Sequence, residues 1–174
     1  MALLKTVNPE TAQGPIKEAY DVFMKRAGMV PKPFEMMSVS PGLLQIQAQV
    51  LDYFMQHKTL SFPLMTHIRY LVAQRYDYAF CTSFNRDLLK MQGMGEDEVQ
   101  AVSSDPQKAP LEDKDKAMLL FVLKAVKQPD EVTQKDVDAL HEMGWTDNDI
   151  MDAVFHGTGM IAPSILMRAF KMDT

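Results

Sequence analysis

Apolar residues return every three or four positions along most of the chain and do not alternate as a half-buried strand requires, so helices are expected throughout. Behind Pro15, Ile16, Ala19, Tyr20, Phe23 and Ala27 share one helical face, and Gly28 is placed to end that helix. Ser40 and Pro41 open a second helix carrying Leu44, Ala48, Leu51 and Met55, while Ser61 and Pro63 open a third with Leu64, Ile68, Leu71 and Val72. Asp77 reads as the N-cap of a fourth, over residues 78–92, which Gly93 ends. A short helix at 97–102 and an apolar one at 116–126 follow. Thr133 with Asp136 reads as a capping box for a helix stopped by Gly144. Thr146 caps the last helix, where Ile150, Ala153, Val154 and Phe155 lead into an interruption at Gly157, Gly159 and Pro163.

Two stretches break the pattern. Residues 30–34, with Pro31 and Pro33, read as a rigid extended connection, because a residue before proline is pushed out of the helical region. Residues 103–111 read as the main loop and the one place for an internal boundary. The sum is a single all-α domain over 1–174. Residues 93–99 and 144–150 share an order of Gly, turn, acidic first turn and apolar residue, a likeness that helix capping alone can produce.

Composition narrows the classes. The 47% hydrophobic and 24% charged content is that of a globular protein, and 174 residues suffice for a real core. No apolar run is long enough for a membrane span and the N-terminal residues lack signal-peptide order, so a cytoplasmic protein with no membrane partner is expected. A net charge of −5 without a basic run speaks against nucleic acid. Fifteen methionines read mainly as flexible filling between helices. One cysteine forbids an intrachain disulfide. The four histidines show no metal-ligand spacing and the acidic runs lack the calcium-loop glycine, so neither metal nor cofactor is expected.

The stretch Tyr76-Asp77-Tyr78-Ala79-Phe80-Cys81-Thr82-Ser83-Phe84-Asn85 holds that cysteine. It resembles the redox helix of the alkylhydroperoxidase D and carboxymuconolactone decarboxylase family, in its peroxidase-related branch. The segments 28–34, 37–41, 64–73, 88–93 and 144–150 resemble the rest of that family's chain in order. The family carries a Cys-x-x-Cys pair, a histidine one turn later and a glutamate on the preceding helix. On that resemblance Cys81 stands for the second cysteine, Tyr78 for the first, Asn85 for the histidine and Thr66 for the glutamate. It implies an AhpD-like helical bundle that assembles into trimers, hexamers or other homo-oligomers, and an antioxidant, peroxide-reducing ancestry. With three reactive positions substituted, the intramolecular dithiol cycle is absent.

Three readings follow. Cys81, near a helix start that would favour its thiolate, would reduce peroxide alone with an external thiol reductant or a neighbouring subunit's Cys81, and His67 is the candidate base. Alternatively the redox chemistry is lost, and Tyr78, Phe80, Phe84, His156 and methionines line an apolar pocket for a small ligand. The third reading is a repurposed decarboxylase or isomerase, with His67 or His156 moving a proton and Arg69 or Arg75 holding an anionic substrate.

Overall fold

The computed structural model describes residues 2–172, and among them there are α-helices and short 3-10 turns but no strand. The helices are α1 Gly14–Ala27, α2 Lys32–Met37, α3 Pro41–Met55, α4 Phe62–Arg75, α5 Ala79–Met91, α6 Glu96–Ser104, α7 Asp113–Lys127, α8 Gln134–Glu142, α9 Asp147–Thr158 and α10 Ile161–Ala169. Among the described residues there are two compact units, one of residues 2–57 and 165–172, the other of residues 58–164.

In the first unit α1 and α2 pack on α3. Phe23 stacks on Phe34 with ring centroids 4.1 Å apart, and Tyr20 donates from its hydroxyl to the Val7 carbonyl at 2.9 Å. The extended connection expected at 30–34 is only half there. Pro31 is extended, but Lys32 and Pro33 already belong to α2, because a first-turn proline surrenders no hydrogen bond the helix would have made.

The second unit is built around α4, which packs against α5, α7 and α9. A helix covered on several sides must be apolar nearly all round. Leu64, Met65, Ile68, Tyr70, Leu71, Val72 and Ala73 are accordingly buried, and so are the polar Thr66 and His67. Ser61 caps α4 by accepting from the Leu64 amide at 3.2 Å. Thr146 caps α9 as expected, accepting from the Asp149 amide at 3.2 Å, and Asp149 closes the box by accepting from the Thr146 amide at 3.0 Å and also takes the Thr59 hydroxyl. The expected box at Thr133 and Asp136 is present, with Lys124 completing it at 2.7 Å.

Asp77 is not an N-cap. It is the left-handed residue that ends α4, with φ 51°, and the Tyr78 amide behind it reaches back to the Ala73 carbonyl at 2.9 Å. Gly93 and Gly144 make the same turn, with Met94 donating to Leu89 and Trp145 to Leu140. The echo noted in the sequence is therefore one helix-ending device used twice, with a third copy in which aspartate stands where glycine is usual. In each copy the residue behind the turn is a buried apolar one, Tyr78, Met94 or Trp145. At 103–111, Ser103 and Ser104 still belong to α6 and a 3-10 turn occupies 106–108, so the loop is shorter than expected.

Of the interruption expected at Gly157, Gly159 and Pro163, only Gly159 lies at the break between α9 and α10. Gly157 lies within α9, and Pro163 sits in the first turn of α10, where a proline surrenders no helical hydrogen bond. Residues 147–169 together form the one stretch, among the described residues, long and apolar enough to cross a membrane. That stretch contains the buried Asp149, and α9 packs on α4 and α7, as a core helix does.

Candidate functional site

Arg69 gathers two of the four positions drawn from the sequence resemblance, Thr66 and Asn85, and its charge reaches a third, Cys81. Arg69, on α4, donates from Nε to Asn85 Oδ1 at 2.7 Å, from Nη2 to Thr66 Oγ1 at 3.1 Å, and from Nη1 to His156 Nε2 at 3.0 Å. Its guanidinium also lies 5.8 Å from the centroid of the Phe62 ring. Because the guanidinium can only donate, His156 Nε2 accepts, which places the ring proton of the neutral imidazole on Nδ1. Three helices meet in this cluster: α4 supplies Phe62, Thr66 and Arg69, α5 supplies Asn85, and α9 supplies His156.

Each polar partner is committed. Thr66 Oγ1 donates to the Phe62 carbonyl at 2.8 Å and accepts from both Arg69 and Gln92 Nε2. Asn85 accepts from Arg69 and donates from Nδ2 to the Cys81 carbonyl at 2.8 Å. Thr66 is 0% and Asn85 1% exposed, and both side chains find their hydrogen-bond partners within the protein. Arg69 has no carboxylate partner among the described residues, and the loss of hydration pulls its pKa down to about 10, which leaves it charged at neutral pH.

Cys81 lies in the first turn of α5, as expected, but the expected thiolate stabilisation is not found. Burial pushes the thiol up to about 11, and the opposing pull of the Tyr78 hydrogen bond and the Arg69 charge is smaller. A helix start favours a thiolate by a kcal/mol or so at most, whereas removing the anion from water costs more. The neutral thiol is the resting form.

His67 does not join the cluster. It points away from Thr66, with Nδ1 donating to the Pro63 carbonyl at 2.8 Å, and it makes no hydrogen bond to Cys81. Its Nε2 is buried without a partner, and burial lowers its pKa, so the ring is neutral. Phe80 and Phe84 stack on each other, with centroids 6.1 Å apart, on the half-buried flank of α5. Among the described residues no group of three or more His, Cys, Asp or Glu side chains is placed to hold a metal ion.

The sequence matches no family model and no curated protein. Solved structures do match. One is an alkylhydroperoxidase AhpD core, an uncharacterized peroxidase-related protein from Ralstonia eutropha JMP134, with a TM-score of 0.80 and 20% identity over 98% of this chain and 90% of that one. Another is an uncharacterized peroxidase-related protein from Silicibacter sp. TM1040, with a TM-score of 0.80, 17% identity and the same coverage. The fold of this chain is therefore AhpD-like, and it is shared over nearly the whole length of both molecules.

Proposed function

We propose that this chain is a member of the alkylhydroperoxidase D and carboxymuconolactone decarboxylase family in which the ancestral peroxide-reducing dithiol centre has been replaced by a hydrogen-bonded Arg69 cluster. The observation that supports the reading is that Thr66 and Asn85 bond to Arg69 and Tyr78 to a Cys81 buried as the thiol, so three of the four positions drawn from the resemblance hold groups without redox chemistry. Peroxide reduction needs a thiolate that solvent and oxidant can reach, followed by a resolving thiol. Tyr78 cannot resolve a sulfenic acid, and Asn85 cannot take up a proton. What the site retains is recognition rather than electron transfer: a fixed cation, neutral acceptors and an aromatic wall.

Hydrogen peroxide is expected to disappear at the same low rate in the presence of the native protein and of Cys81→Ser, followed in a stopped-flow instrument. Clearly faster consumption by the native protein would instead establish a single-cysteine reductase, dependent on an external thiol or on Cys81 of a neighbouring subunit.

The same reading includes a cytoplasmic homo-oligomer. It is supported by apolar residues left at the surface on regular helical spacing: Leu43, Ile46 and Tyr53 on α3, and Met151 and Phe155, one turn apart, on α9. Light scattering on the eluting protein is expected to give a multiple of the 19.7 kDa chain mass. A single-chain mass at micromolar concentration would remove this part of the proposal.

A further inference from the structure

We infer that Arg69, flanked by His156 and the Phe62 ring, is the recognition point for one small organic carboxylate with a short apolar tail. A guanidinium has five donors in a planar fork. Three are used within the protein, toward Asn85, Thr66 and His156, which leaves one N–H on each terminal nitrogen. Two parallel N–H groups are what a carboxylate accepts in the bidentate mode.

Charge points the same way. A desolvated cation is costly unless an anion offsets it. The groups that accept from Arg69 are an amide oxygen, an imidazole nitrogen and a hydroxyl, none of them a carboxylate, and the Cys81 thiol is protonated. An anion from solution would supply that counter-charge. One positive charge matches a monoanion, whereas a phosphate dianion would bring a second negative charge that no further cation of the cluster meets.

Access and shape complete the case. Thr66 and Asn85 are fully buried and fix the guanidinium from the protein side. Phe62 is 39% exposed and Arg69 half-buried, so the cluster is not sealed from solvent. An apolar tail would lie along that ring while the carboxylate meets the fork. The fixed orientation also separates this site from a mobile surface arginine, because little side-chain freedom is left to lose on binding.

The inference rests on the proposed function in one respect, the neutral Cys81 thiol, but its test reads the guanidinium rather than the sulfur, so the two proposals fail separately. Sodium benzoate, its neutral isostere benzamide and inorganic phosphate would be titrated into the native protein by calorimetry at constant ionic strength and neutral pH. Benzoate is expected to bind saturably, to exceed phosphate in affinity, and to shift the Arg69 Nε–H resonance in a nitrogen-15 spectrum, while benzamide does neither. Arg69→Lys keeps the charge but loses the fork, and is expected to weaken benzoate binding by about tenfold or more. Arg69→Gln is expected to abolish it; if that variant does not fold, the lysine variant and the native-protein resonance decide. Absence of saturable benzoate binding, equal binding of benzamide, tighter binding of phosphate, or unchanged affinity in Arg69→Lys would each overturn the inference.

Discussion

Iodoacetamide is expected to alkylate Cys81 of the native protein about a hundredfold more slowly at neutral pH than it alkylates an ordinary exposed cysteine. The thiolate is the nucleophile, and each pKa unit of displacement changes its population tenfold below the pKa. With the thiol pushed from 9.0 up to about 11, the reactive fraction at neutral pH falls by about two powers of ten, before any effect of restricted access. The direction with pH follows. The rate should climb about tenfold per unit well past the point where an exposed thiol levels off, flattening only near 11. Mass spectrometry of timed samples, with the urea-unfolded protein as reference, measures both quantities. A native rate within about threefold of the unfolded rate would show that the sulfur is neither buried nor suppressed.

A free cysteine is usually buried, as this one is, but what would satisfy the amide beside it was hidden in the sequence for a definite reason. Asn85 shares its helical face, and an asparagine marks a face as solvent-exposed unless something meets its amide. The group that meets it, Arg69, comes from another helix, and no spacing rule along α5 reveals it. Arg69 itself was visible as a charged residue within an apolar helix, and it was named as an anion-holding candidate, but its role as the hub was not. Three of its partners lie at separations of 3, 16 and 87 residues, so only the first is a local relationship.

The helices were more legible, because their ends are written in residues with one strong preference. Gly28, Gly93 and Gly144 each occupy a left-handed position, and such positions favour glycine strongly. Asp77 makes the same turn without that signal. Aspartate is both a good N-cap and a tolerable left-handed residue, so its local chemistry points to the start of α5 as readily as to the end of α4. Only the bond from Tyr78 back to Ala73 separates the two. Pro33 was ambiguous in a similar way: proline stops a helix from inside and starts one from the first turn.

Gly157→Leu is expected to lower the melting temperature by about 6–12 °C, the equivalent of about 3 kcal/mol in a chain of this size. Gly157 is a helical residue with no need for glycine's backbone freedom, so its value is space. A Cβ there would stand 2.8 Å from Val122 Cγ1 on α7 and 3.3 Å from Ile68 Cγ2 on α4. Both neighbours are β-branched and stiff, so neither swings aside cheaply. In an open helix Gly→Ala gains up to about 1 kcal/mol. Here the overlap outweighs that gain, and Gly157→Ala is expected to lose about 1 kcal/mol. Gly42→Ala is the control, because nothing lies within 4 Å of its added Cβ, and stability there should hold or rise. Trimming the obstacle should also reverse the sign of the coupling: in a Val122→Ala background, Gly157→Ala becomes neutral or favourable. The consequence reaches the site, since His156 precedes Gly157 and its bond to Arg69 requires α9 to lie close against α4. Full stability in Gly157→Leu by thermal denaturation would mean that α9 does not approach α4 and α7 this closely, and the placement of His156 beside Arg69 would fall with it.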